Sequence, residues 1–106
     1  LSLMLNNRKR RPTHPGELLR EEILPAAGLT QGELAKRLNI SRRILSEIIN
    51  ERRSVNPDVA HRLARVFNTS PELWMNMQQA VDIWEAFENN RSVYSKIKPL
   101  NGKQAA

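Results

Sequence analysis

The chain has 106 residues, 40% of them hydrophobic, with two Trp, two Phe and one Tyr; that supports one modest core and excludes a second domain or an enzyme with a deep enclosed cleft. It contains no cysteine, which excludes a disulfide-stapled secreted scaffold and leads us to expect a cytoplasmic protein. The formal net charge of +6 points to an anionic partner.

Residues 1–13 pair the apolar opening "LSLML" with Arg8, Lys9, Arg10, Arg11 and Pro12, and they read as a flexible basic arm. The opening is too short for a signal-peptide core, and its charges follow rather than precede it. No apolar run approaches the roughly 18 residues of a membrane span. A first helix is expected from "HPGELLREEIL". Pro15 suits its first turn, Glu17 its positive end, and Leu18, Leu19, Ile23 and Leu24 recur at helical spacing. Pro25 and Gly28 should end it. Thr30 caps a second helix with Glu33 completing a capping box; Leu34, Ala35 and Leu38 face inward, and Asn39 tolerates left-handed backbone at the end. Ser41 caps a third helix with the stripe Ile44, Leu45, Ile48 and Ile49, and "NERRSVNP" is a loop. Asn56 caps a fourth helix opened by Pro57, with Asp58 in its first turn and the stripe Val59, Ala60, Leu63, Ala64 and Phe67. Ser70 and Pro71 open a longer fifth helix, along which Trp74, Met77, Val81, Trp84 and Phe87 recur. Residues 14–91 therefore form an all-α, five-helix domain, and residues 92–106 a flexible tail.

Charge is unevenly distributed. Residues 30–55 carry six basic groups against three acidic ones, whereas residues 12–29 and 56–94 are each net acidic. The basic segment coincides with the second and third helices, which are joined by the three-residue turn "NIS". Two short helices about so short a turn form a helix-turn-helix. Ala35 is small enough for close crossing, Ile40 plugs the corner, and Leu45 and Ile48 pack the third helix down. Arg42 and Arg43 then project from its first turn. There, unpaired backbone N–H groups and the helix dipole suit phosphate, and arginine can bond both major-groove acceptors of guanine. The competing reading is a surface helix whose arginines only snorkel.

The stretch "LTQGELAKRLNISRRILSEIINERRSV" resembles the Xre/Cro-type, lambda-repressor-like helix-turn-helix domain over about residues 29–79. It has the Gln opening helix two, the "ELA" core, the Ser starting helix three and the Asn closing it; Asn39 stands where that family usually has Gly. The flanks "HPGELLREEIL" and "SPELWMNMQQAVDIWEA" extend a resemblance to HigA-type antitoxins, the VapI subgroup, over about residues 13–90. This resemblance implies a homodimer that binds operator DNA, represses its own operon and neutralises HigB, a RelE-type endoribonuclease toxin. The alternatives are an Xre-type repressor without a toxin and a protein–protein adaptor on the same fold. An enzyme is not expected, because no nucleophile–base or metal constellation is visible and neither His14 nor His61 belongs to one; no cofactor or metal is expected either.

The family pattern implies that Gln31 bonds a backbone phosphate and braces helix three, and that Ser41, Arg42 and Arg43 contact bases or flanking phosphates. Ser46 and Glu47 lie one turn further along. Glu47 either accepts from a cytosine amino group or orients Arg43 as an i,i+4 pair, the second being favoured. Asn50, Arg52 and Arg53 are placed to clamp phosphate, with an ordinary solvated charge cluster as the rival for Glu51, Arg52 and Arg53. Trp74 and Trp84 are candidates for a dimer interface, although Trp74 suits the core better. Asp82, Glu85 and Glu88 on the acidic fifth helix are candidates for meeting a basic toxin.

Overall fold

The computed structural model describes residues 10–100. Five helices pack around one core: α1 in three runs (Pro15–Leu18, Leu19–Ile23 and Leu24–Ala27), α2 (Gln31–Leu38), α3 (Arg42–Ile49), α4 (Pro57–Phe67) and α5 (Pro71–Ser95). Thr30, Ser41, Asn56 and Ser70 each accept a backbone N–H from the third residue onward, so every expected cap forms. The capping box between Thr30 and Glu33 is complete. A further cap was not anticipated: His14 Nδ1 accepts from the Gly16 N–H at 2.8 Å and starts α1.

Pro25 does not end the first helix as expected. The run Leu19–Ile23 is π-helical, and the Leu24 N–H bonds the Leu19 carbonyl. This wider turn accommodates a proline that has no N–H to donate and whose ring would strike the carbonyl four residues back. The helix continues to Ala27 and stops at Gly28, whose φ of 68° favours glycine. Asn39 and Asn68 close α2 and α4 in the same left-handed conformation, at φ 57° and 56°.

The core comprises Leu19, Leu34, Leu38, Leu45, Ile48, Ile49, Val55, Leu63 and Trp74, all essentially without solvent exposure. Trp74 is 0% exposed; its ring lies 6.1 Å from that of Phe67, and its Nε1 donates to Thr69 Oγ1 at 2.8 Å. It has no surface to offer a second chain, which removes it from the dimer-interface candidates. Gly16 brings α1 against the end of α3: a Cβ there would penetrate the Ile48 carbonyl oxygen and sit 3.1 Å from Ile49 Cα.

The molecule is elongated, at 54 × 23 × 23 Å, because α5 outruns the body. Its first half buries Trp74, Gln78 and Val81, whereas beyond Trp84 every side chain except partly covered Glu85 is exposed. Asn90 leaves helical geometry, with its side-chain amide donating to the Ala86 carbonyl at 2.9 Å, and the helix bends there. The helix continues through residues 92–95 of the expected tail; residues 101–106 lie outside the described residues. So do residues 1–9 of the expected arm, but Pro12 is buried and Arg11 is tied to the body.

Candidate nucleic-acid interface

The corner between α2 and α3 is held from three sides. Ala35 and Leu38 are buried beneath it, with Ile40 half-buried at the turn. From α4, Arg62 Nη1 donates to the carbonyls of Leu38 (2.9 Å) and Asn39 (3.1 Å), which supplies acceptors' partners at the end of α2. Arg62 is itself oriented by Asp58 at 2.9 Å. The apolar stripe of α3 faces inward as Leu45, Ile48 and Ile49, and the helix presents its other side to solvent.

On that outer side Gln31, Ser41, Arg42, Arg43 and Asn50 are exposed, and Ser46 and Glu47 are half-buried. The Ser41 hydroxyl oxygen accepts the Ile44 N–H at 3.0 Å, leaving its O–H to donate outward. Arg42 folds back across the start of α2. A Cβ at Gly32 would come 2.9 Å from its guanidinium, so the small residue there makes room for it. Arg42 thereby shares an open cleft with Thr30, Glu33, Ile40 and Ser41. Arg43 donates through Nε to Glu47 Oε2 at 3.2 Å, and its side chain is 85% exposed. Glu47 Oε1 receives Arg53 through Nε at 2.8 Å and Nη2 at 2.7 Å. The hydrogen bonds from Arg53, then those from Arg43, hold the Glu47 carboxyl below its ordinary range. The sequence reading that Glu47 orients Arg43 therefore has its contact, and Arg53 joins it from the following loop. Asn50 bonds Ser46 Oγ at 3.3 Å, closing the last turn.

The loop after α3 is fixed by a cluster that local sequence does not announce. Glu51 has φ 62°, an uncommon conformation for a residue with a Cβ. Arg11 reaches its Oε1 (2.6 Å), and Arg20 its Oε2 (3.2 Å). Arg11 also spans to Glu85 on α5 at 2.8 Å, and Arg20 donates to the Ile49 carbonyl at 2.6 Å. Partial burial would raise the Glu51 carboxyl, but the two arginines outweigh it and hold it low. Below them Gln78, nearly fully buried, accepts the Val55 N–H at 2.9 Å and donates to Asp82 at 2.9 Å. From this braced loop Arg53 reaches Glu47 of α3, and Arg52 is exposed beside it. Glu51 thus belongs to the brace and not to a loose charge cluster.

The structure sets Ser41, Arg42, Arg43, Glu47 and Arg53 along the exposed rim of α3, with Gln31 exposed at the start of α2. Arg52 and Arg53 also line the polar groove that Arg11 shares with Asp82 and Glu85 of α5, whereas Glu88 pairs with Arg91 at 2.8 Å. Trp84 is partly covered, and its Nε1 has no hydrogen-bond partner among the described residues. Exposed around and beyond it are Ile83, Phe87, Val93, Tyr94 and Ile97. Among the described residues no helix is long and apolar enough to cross a membrane.

Against known proteins, the helix-turn-helix family model matches residues 19–74. The chain is 42% identical over 88 residues to virulence-associated protein I of Dichelobacter nodosus, covering 83% of this chain and 81% of that one. It is 37% identical over 92 residues to antitoxin HigA-1 of Vibrio cholerae, covering 87% of each. The fold superposes with a TM-score of 0.81 on the Pseudomonas aeruginosa antitoxin HigA solved with the higBA promoter; the match is 37% identical and covers 86% of this chain and all of that one.

Proposed function

This chain belongs to the helix-turn-helix family, in the branch that holds the HigA antitoxins and virulence-associated protein I, and from that premise we propose that it is an operator-binding antitoxin that represses its own operon. It acts by binding rather than by catalysis, in the cytoplasm, and it neutralises a HigB-like mRNA endoribonuclease toxin. The observation that carries this reading is the braced α2–α3 corner, whose exposed rim offers arginines at a helix N-terminus. It is matched by a relative solved with its promoter.

In the proposed complex α3 enters the major groove. Arg42 and Arg43 reach base edges or flanking phosphates, Gln31 and Ser41 bond the backbone, and Ser46 lies within reach of bases further along. Asn50, Arg52 and Arg53 hold phosphate beyond the end of α3 and set the docking register. A homodimer supplies the second half-site. Its interface is the apolar face of α5 where Ile83 and Phe87 are exposed beside partly covered Trp84. The acidic residues Asp82, Glu85 and Glu88 are the proposed surface toward a basic toxin. Each has a partner in the free chain: Asp82 accepts from Gln78, Glu85 holds Arg11 and Glu88 pairs with Arg91, so a toxin would meet them by exchanging these contacts.

The paired change Arg42→Ala, Arg43→Ala tests the DNA reading. Each bidentate base contact is worth about 1–3 kcal/mol, so operator affinity should fall by about a hundredfold or more. Affinity unaltered by the double change would refute readout by α3. For the toxin, co-expression with the neighbouring gene should yield a co-purifying basic ribonuclease; its absence would leave a repressor without a toxin partner.

A further inference from the structure

The rim of α3 is less positive than its arginines suggest, because one carboxylate holds two of them. Glu47 lies a helical turn beyond Arg43 and receives Arg43 on one oxygen and Arg53 on the other. Among the described residues Arg42 and Arg52, their immediate neighbours, make no ion pair, so the rim divides into two free cations and two held ones. The Glu47 side chain is only 28% exposed, yet Arg43 and Arg53 are well exposed, and such surface pairs contribute little to folding. The same fork that accepts two guanidinium groups is the arrangement a DNA phosphate would offer them.

We propose that Glu47 is a selectivity residue: it occupies Arg43 and Arg53 in the free protein as an internal stand-in for phosphate, and suppresses binding to unselected DNA. On unselected duplex the two arginines gain phosphate only by giving up a carboxylate, and the negative charge of Glu47 stays beside the backbone. At a cognate site, base contacts from the rest of α3 compensate for that exchange, and Glu47 turns to solvent. This inference rests on the DNA-binding reading above.

The test compares wild type with Glu47→Gln, a near-isostere that removes the charge. Affinity is measured for a selected operator duplex and for a scrambled duplex, between 50 and 300 mM salt. One released counterion is about tenfold at 0.1 M salt. For scrambled DNA, Glu47→Gln should therefore bind about tenfold more tightly, with a salt slope steeper by about one. The operator should gain less, so the ratio between the two affinities falls. Equal gains on both duplexes, no change on scrambled DNA, or a loss confined to the operator would each overturn the proposal; the last would make Glu47 a base reader. Wild type that fails to prefer operator over scrambled duplex refutes the DNA-binding reading itself, whereas selective wild type with an unchanged variant refutes only the Glu47 inference. Unfolding midpoints and circular dichroism of the variant report whether α3 is intact.

Discussion

Gly16→Ala should destabilise this protein although it adds a better helix former. In an ordinary helix the exchange gains about 0.5–1 kcal/mol. Here the new Cβ would be driven into the Ile48 carbonyl oxygen, with the Ile49 Cα at 3.1 Å, and both are backbone atoms of α3 that no rotamer change can move aside. Normal carbon contacts are about 3.5–4.0 Å, so the N-terminus of α1 or the end of α3 must shift. Overpacking of this kind typically costs about 1–3 kcal/mol, and the depth of the clash argues for the upper end. The net loss is about 2 kcal/mol, which lowers the midpoint by about 8–16 °C in a domain of this size. Gly32→Ala is the internal control. Its Cβ meets the end of a flexible arginine, Arg42, at 2.9 Å, so the side chain can swing away and the propensity gain survives. Thermal unfolding followed by circular dichroism, at one fixed protein concentration, reads both variants. A Gly16→Ala protein as stable as wild type would refute the close approach of α1 to α3 and with it the seating of the rim.

Two other predictions concern the first and last helices. Burial holds His14 below its ordinary value, and its Nδ1 must be unprotonated to accept the Gly16 N–H. The unfolded chain, with a pKa of about 6.5, then binds this proton more readily than the folded one, so the contribution is whole above about pH 6.5 and is lost as pH falls toward the lower folded value. The midpoint should drop on acidification through that window, and His14→Asn, which keeps a capping acceptor, should flatten the response; a wild-type midpoint level across it would contradict the role. At the other end, Ile83→Asp with Phe87→Asp should give a folded monomer by sedimentation and weaken operator binding, since both side chains are exposed in one chain. A variant that still sediments as the dimer would exclude this face of α5.

Local chemistry made much of the fold legible. Thr30, Ser41, Asn56 and Ser70 announce helix starts because a cap needs only one side chain and the turn that follows it. The inward stripes of α2, α3 and α4 follow from a 3.6-residue period. Pro25 misled because a proline ends a helix only when the backbone cannot widen to take it, and Leu19–Ile23 does widen. The brace was illegible for a different reason. Arg11 meets Glu51 and Glu85 across 40 and 74 residues of chain, and no periodicity reports such a contact. The same holds for Gly16 against Ile48. Trp74 and Trp84 share spacing and chemistry; only the exit of α5 from the body separates the core residue from the partly covered one. The rim residues were legible individually, but the sharing of Glu47 by Arg43 and Arg53 needed the loop to fold back.

The most direct test of operator binding is selection of bound duplexes from a random DNA pool by the purified wild-type protein at near-physiological salt. Recognition by α3 of a symmetric dimer predicts a two-fold symmetric consensus, with half-sites about one helical turn, roughly 34 Å, apart. Enrichment of no consensus, or only salt-sensitive capture of every sequence alike, would contradict it.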